Sequence, residues 1–367
     1  MQAIVIPQLR WPLVLSLAGL LLSTTSLTAQ QLERYSMAED EVAIYNMAGE
    51  VRLEPGGGDV TVQVTRGGAD AAKLKVVQGK RDGVETLRLI YPGDRILYGQ
   101  PSNNSSTQLR VRDDGTFGDE RDHDGKHDGK SEGRRVTIAS NGGGLDARAN
   151  LRIAVPSGRQ VSVYLAVGEV SVTNVNGDLH IDAASAPVTA SGTRGELDID
   201  VGAGPVQVTQ SRGDLSVDTG SGGVTATDVR GESVSIETGS GDVTASRLNS
   251  SQLSIDTGSG NIQVTGLTAP QVQLQTGSGS VTADISGELW SLKVETGSGD
   301  VTLKVPPTLA AEVDIETSSG DIETDFEVAV TRHARDHMTG RIGEGGGKIA
   351  IESGSGGIKL VKGPAGK

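Results

Sequence analysis

The chain has 367 residues, with Lys+Arg 33 against Asp+Glu 47 for a net charge of −14, 52 Gly, no Cys, and only 2 Phe, 2 Trp and 5 Tyr. Zero Cys excludes disulfides, thiolate metal sites, thiol nucleophiles and lipid attachment through Cys. An acidic chain this poor in aromatics also lacks the cations and stacking rings that hold nucleic acids. Hydrophobic residues reach 35 %, below the globular norm of about 45–50 %, so a thin core of Val, Ile and Ala is expected rather than a thick one.

Residues 1–29 read as an export signal. Arg10 is their only charged side chain, the apolar run Trp11 to Leu22 follows it, and a small polar stretch leads to Ala29. This order of charge, short apolar core and small residue is that of a signal peptide. Cleavage is expected after Ala29, leaving Gln30 first. A core of about 12 residues is short for a membrane span of about 20, although an uncleaved anchor is the alternative. No second long apolar run follows. The mature chain is therefore expected without a transmembrane span, in the periplasm, at the cell surface or outside the cell.

Residues 30–98 read as an N-terminal β segment or cap. Val51-Arg52-Leu53 and Leu87-Arg88-Leu89-Ile90-Tyr91 are strand-like, and Gly58-Asp59-Val60-Thr61-Val62 is a turn followed by a strand. Residues 99–135 are nearly all polar and read as a disordered surface insertion. They contain Asp122-His123-Asp124-Gly125-Lys126-His127-Asp128-Gly129. Read as a calcium loop from Asp122, this run puts Lys126 at the fifth position and His127 where Gly is needed. It is taken as solvated charge, and no metal or cofactor is expected.

Residues 136–367 form the repeat region. The string TGSG starts at Thr219, Thr238, Thr257, Thr276 and Thr296, in steps of 19, 19, 19 and 20, with variants at Thr317 and Ser353. Weaker copies precede it at Val201-Gly202-Ala203-Gly204 and Ala183-Ala184-Ser185-Ala186. One short alternating segment follows each turn, as in Val224-Thr225-Ala226 and Val243-Thr244-Ala245. Another precedes it, as in Val234-Ser235-Ile236 and Leu253-Ser254-Ile255. Alternation with period two puts aliphatics on one face and polar residues on the other. A fixed period built of units too small to bury their own apolar face is the mark of a repeat architecture. An antiparallel meander would fit the strands. An elongated parallel β-solenoid of about ten coils fits better, because Gly-Ser-Gly occupies every second turn only and the same residue types recur at each position. Residues 327–347, with His333, His337 and five Gly, are expected as a loop before the last coil.

The arrangement resembles the bacterial putative adhesin family, exported domains of unknown function with serial GSGDV/I turns. The matching stretches are Gly239-Ser240-Gly241-Asp242-Val243, Gly297-Ser298-Gly299-Asp300-Val301 and Ser319-Gly320-Asp321-Ile322, and the closing Gly345 to Ile358 is similar to that family's C-terminal end. The resemblance covers about residues 150–362. It implies surface binding and brings no catalytic residues.

The turn glycines are expected to serve a positive φ. They do not match the calcium nonapeptide roll, which needs an acid in every turn: Gly223, Asn261 and Ser280 stand where other copies have Asp. The acids just before the turns, Asp218, Glu237, Asp256, Glu295 and Glu316, with Gln275 breaking the series, would line one outer edge at about 4.8 Å spacing. Such an edge attracts cations or basic partners, or serves only to keep strands from aggregating. No nucleophile elbow is present, and the five His stand singly or in loops. The expectation is an exported, non-enzymatic adhesin-like binding or scaffold protein, with cell-envelope or surface polymers or proteins as partners. The alternatives are an envelope carbohydrate-active enzyme on a β-helix, which needs clustered Asp, Arg or Lys with an aromatic in a groove, and a sensor of envelope state acting on a membrane partner.

Overall fold

Alternating Val/Ile and Ser/Thr make strands that bury one face, and the repeat stacks them. In the computed structural model, residues 32–99, 105–118 and 133–363 are described, all within the unit Gln31–Lys367. The signal-like segment 1–29 and the Asp122–Gly129 run lie outside the described residues. Each interior coil gives one strand to a first ladder and one to a second. Examples are Leu215–Ser221 with Val224–Thr227, Ser233–Ser240 with Val243–Ser246, and Gln252–Thr257 with Ile262–Thr268. Pairing from coil to coil is parallel. Thr219, Thr238, Thr257 and Thr276 follow one another in register, as do Val224, Val243, Ile262 and Val281, and all eight are buried. The fold is an elongated parallel β-solenoid; the antiparallel meander does not occur in the repeats. Before the TGSG copies the period is shorter: Leu179, Leu197 and Leu215 stack at steps of 18.

Three inward columns explain the recurring sequence. Aliphatics such as Ile199, Val217, Ile236, Ile255 and Leu274 form the thin core. The Thr of TGSG begins at 219, where the coil below has Val201. Its hydroxyl donates to a Gly carbonyl of the coil below: Thr257 to Gly241 at 3.1 Å, Thr276 to Gly260 at 2.9 Å and Thr296 to Gly279 at 2.9 Å. Thr219, the first of the series, is buried with its Oγ1 unpaired. The second Gly of each motif stacks on the same Gly below it. A Cβ on Gly241, Gly260 or Gly279 would stand 2.0–2.2 Å from that neighbour's carbonyl oxygen. These three are not among the positive-φ glycines, whereas Gly222 and Gly299, the same glycine in the first and last copies, have φ 149 and 159, so close backbone approach demands glycine in every copy and the expected positive φ adds to it in some. At the other corner Asn174, Gly192, Gln210, Asp228, Arg247 and Gly266 form a left-handed column with φ between 53 and 71.

At the N-terminal end two long strands, Glu41–Pro55 and Arg159–Thr173, run through the corner and belong to both ladders. Beyond them lie antiparallel strands. Lys75–Arg81 pairs Val84–Ile90 in the first ladder, and Leu32–Met37 pairs Val60–Gly67, which pairs Arg148–Val155, in the second. The polar stretch 99–135 departs from its expected disorder where it is described. Ser106–Val111 pairs antiparallel with Arg134–Ala139, which also pairs Arg95–Leu97. Val111 and Phe117 are buried and supply the apolar anchors that a polar composition hid.

The C-terminal end breaks sequence order. Ser291–Thr296 pairs Gly347–Ser353, which pairs Ala311–Thr317, so the last coil lies between two earlier ones. The expected loop over 327–347 is instead a hairpin, Val328–His333 with His337–Ile342, and its second strand pairs antiparallel with Ala311–Thr317. The physical reason lies in the inward residues. Ile349, Ile351, Ile358 and Leu360 are buried and suit an interior place, while the three-residue strand Ile322–Thr324 has Ile322 only half-buried and suits the end.

Candidate functional site

The first ladder turns a continuous column of carboxylates outward. Asp182, Asp200, Asp218, Glu237 and Asp256 pair in succession. Gln275 follows, then Glu295, Glu352 and Glu316. The five acids expected from sequence are thus brought into one column, with Glu352 between Glu295 and Glu316. Asp182, Asp200 and Glu352 were missed. The signal was available: each is the acid directly before or within the weaker turn copies at 183, 201 and 353. Gln275 relieves the series in its middle.

Neighbouring carboxylates about 5 Å apart in water repel by roughly 0.8 kcal/mol per pair, so the column raises a negative potential without unfolding the coil. A lysine and a histidine lie at one end of the column. Lys293 Nζ lies 2.7 Å from Glu295 Oε1, and His337 Nε2 lies 2.9 Å from Asp314 beside Glu316. Among the described residues no cation pairs with Asp218, Glu237 or Asp256. An open groove of about 520 Å³ runs beside the column, lined by Asp256, Gln275, Glu295, Glu352 and the Thr-Gly corner. Over the middle coils the second ladder's outer face differs: Thr189, Gln207, Thr225, Thr244, Gln263 and Thr282 leave it uncharged there.

Two aromatic features sit elsewhere. Tyr45 and Tyr164 continue the acid column toward the N-terminal end. Their rings stack at 4.3 Å and 4°, with Phe117 edge-on to Tyr45 and His180 edge-on to Tyr164. His180 Nδ1 meets Asp198 Oδ2 at 2.9 Å. Each ring thus has one face covered by the other and an edge-on neighbour as well. Trp290, 60 % exposed, borders a groove with Pro306, Pro307 and Leu309. Among the described residues no group of three or more His, Cys, Asp or Glu could hold a metal, and no helix is long and apolar enough to cross a membrane.

No curated protein matches the chain. A solved structure described as a putative cell adhesion protein from Clostridium sporogenes aligns over 91 % of this chain and 99 % of its own, at 10 % identity and a TM-score of 0.19, too low for the likeness to carry an argument. The family described as Toastrack DUF4097 matches residues 119–361, which take in the whole run of parallel coils from Gly177 onward and its carboxylate column, and the chain belongs to that family.

Proposed function

We propose that the protein is an exported, non-enzymatic binding or scaffold protein of the cell envelope or surface, and that its carboxylate column is the contact edge for basic or cation-bearing envelope material. The observation that carries this reading is the register of the column: eight carboxylates on one outer line, the unpaired Asp218, Glu237 and Asp256 at its centre. A flat, periodic, single-sign edge makes many weak contacts that gain strength through multivalency, and it steers oppositely charged partners. The carbohydrate-enzyme alternative asks for an open aromatic beside clustered charge; Trp290 is open, but among the described residues Glu288 is the only charged one lining its groove, and the Tyr45 and Tyr164 rings stack on each other.

The test is a pull-down of purified protein on cell envelopes at low and high salt, wild type beside the triple variant Asp218→Asn, Glu237→Gln, Asp256→Asn. Binding should weaken as salt passes about 0.15 M, where the Debye length is about 8 Å. It should weaken similarly in the triple variant with the melting temperature nearly unchanged. Binding indifferent to both changes removes the column from the account, and turnover of a polysaccharide in the same assay favours the enzyme.

A further inference from the structure

Between the second ladder and the first the chain crosses a third strip, and in three successive coils it carries an Arg-Gly-acid triplet there: Arg194-Gly195-Glu196, Arg212-Gly213-Asp214 and Arg230-Gly231-Glu232. Arg194, Arg212 and Arg230 bridge one another in parallel register and are exposed. Their backbones therefore repeat at the coil rise of about 4.8 Å, which sets three exposed arginines along one line. Their backbones are hydrogen-bonded from coil to coil, but none of the three guanidiniums takes a hydrogen bond or ion pair among the described residues; Arg230 acts on Asp228 only through space, helping Arg247 hold that carboxyl below its usual range. The side-chain carboxylates of Glu196 and Glu232 are likewise exposed and without a partner among the described residues, while Asp214 Oδ1 accepts the backbone N–H of Glu232 and of Ser233.

The strip thus carries a stripe of cations beside a stripe of carboxylates, both with the same rise. A polyanion meets the carboxylate stripe and a polycation meets the arginines, so neither fits. A second copy does. Turned about a two-fold axis parallel to the stack, its arginines fall on the first copy's carboxylates at every coil, and equal rise keeps them in step. Turned about an axis across the stack, arginine falls on arginine. We propose that the protein pairs with itself through this strip, two copies side by side and parallel, each Arg stripe meeting the other's acid stripe. The contact is isologous and made of exposed ion pairs, so association is weak and falls with salt.

Sedimentation of the purified protein over a concentration series, at low and high ionic strength, tests this. Wild type should dimerise at low salt. Arg194→Glu, Arg212→Glu, Arg230→Glu together, and Glu196→Lys with Glu232→Lys, should each weaken the dimer roughly tenfold or more. Mixing the two variants should restore pairing, since one strip is then acidic and the other basic. The Asp218, Glu237, Asp256 triple variant should dimerise as wild type does, which separates this contact from the envelope-binding edge. A wild type monomeric at every salt overturns the proposal, as does association that survives either strip variant or that mixing fails to restore. Because the chain has no Cys, single-Cys variants at the ends of the stripe check orientation without charge reversal. Asn176→Cys and Asn249→Cys proteins, mixed and treated with a short bis-maleimide, should each cross-link to their own kind. A cross-link joining position 176 to position 249 overturns the parallel arrangement.

Discussion

The interior coils and the two ends solve different problems with the same strands. In the interior every position has a counterpart of its own type above and below. A threonine needs only the glycine of the next coil, and a glycine only room beside another glycine. At the ends the ladder must stop, and an open strand edge invites aggregation. The first ladder stops at both ends with antiparallel strands, and at the C-terminal end the second stops at the three-residue strand Ile322–Thr324. At the N-terminal end the outermost strand of the first ladder carries Lys75, Lys80 and Arg81. At the C-terminal end a hairpin with a register shift between Val330 and Arg332 does the same work. The N-terminal end also thickens its core with Tyr91, Met37 and Met47. The buried Tyr91 hydroxyl donates to Asn46 Oδ1 at 2.8 Å, and Asn46 Nδ2 donates to the Ala149 carbonyl at 2.8 Å. Burial raises the phenol's pKa, so it stays a neutral donor. Repetition lets small residues suffice, whereas termination needs large side chains and individually satisfied polar groups.

The contrast can be broken most severely at its core. Ile255 is fully buried between coils, while Ile322 in the terminal coil is half-buried. Ile255→Asp should cost more than about 4 kcal/mol by placing an unpaired charge in an apolar stack, and Ile322→Asp a third of that or less. Urea midpoints of the two variants measure the difference; equal losses would show that the end coil is packed as firmly as the interior. Glycine gives the next effect. A Cβ on Gly260 would lie 2.0 Å from the Gly241 carbonyl, whereas one on Gly57 meets nothing within 4 Å. Gly260→Ala should lose about 3 kcal/mol and Gly57→Ala no more than about 0.5 kcal/mol.

The threonine column sharpens the comparison within the repeats themselves. Thr257→Val removes a hydroxyl that satisfies Gly241 and should destabilise by about 1 kcal/mol. Thr219→Val removes a buried hydroxyl without a partner and should stabilise by about as much. Opposite shifts in melting temperature are the expected reading; a loss at both positions would mean that Thr219 is satisfied in solution. Smallest is the left-handed corner. Gln210 has φ 58, a conformation that costs a side chain about 1 kcal/mol or more, from which glycine's greater freedom in the unfolded chain subtracts. Gln210→Gly should therefore raise stability by a few tenths of a kcal/mol.

By itself the sequence determined the interior. A period near 19, alternation within each segment and a turn that recurs once per period leave parallel stacking as the arrangement in which like residues meet. The register of Thr219 with Thr238 and the line through Asp218, Glu237 and Asp256 were legible for that reason. The reason for the glycines was not, because close approach between coils is a property of two chain segments and leaves no mark different from a turn in either alone. The strands at 106–111 and 134–139 were hidden because polar side chains can face outward from a sheet held by backbone hydrogen bonds and a few anchors such as Val111 and Phe117. Only the tertiary structure decided that the coil at 347–362 lies between those at 291–305 and 311–324. Period alone gives every coil the same claim on every neighbour. The choice fell to which coil buries aliphatics on both sides and which offers an edge that a hairpin can close.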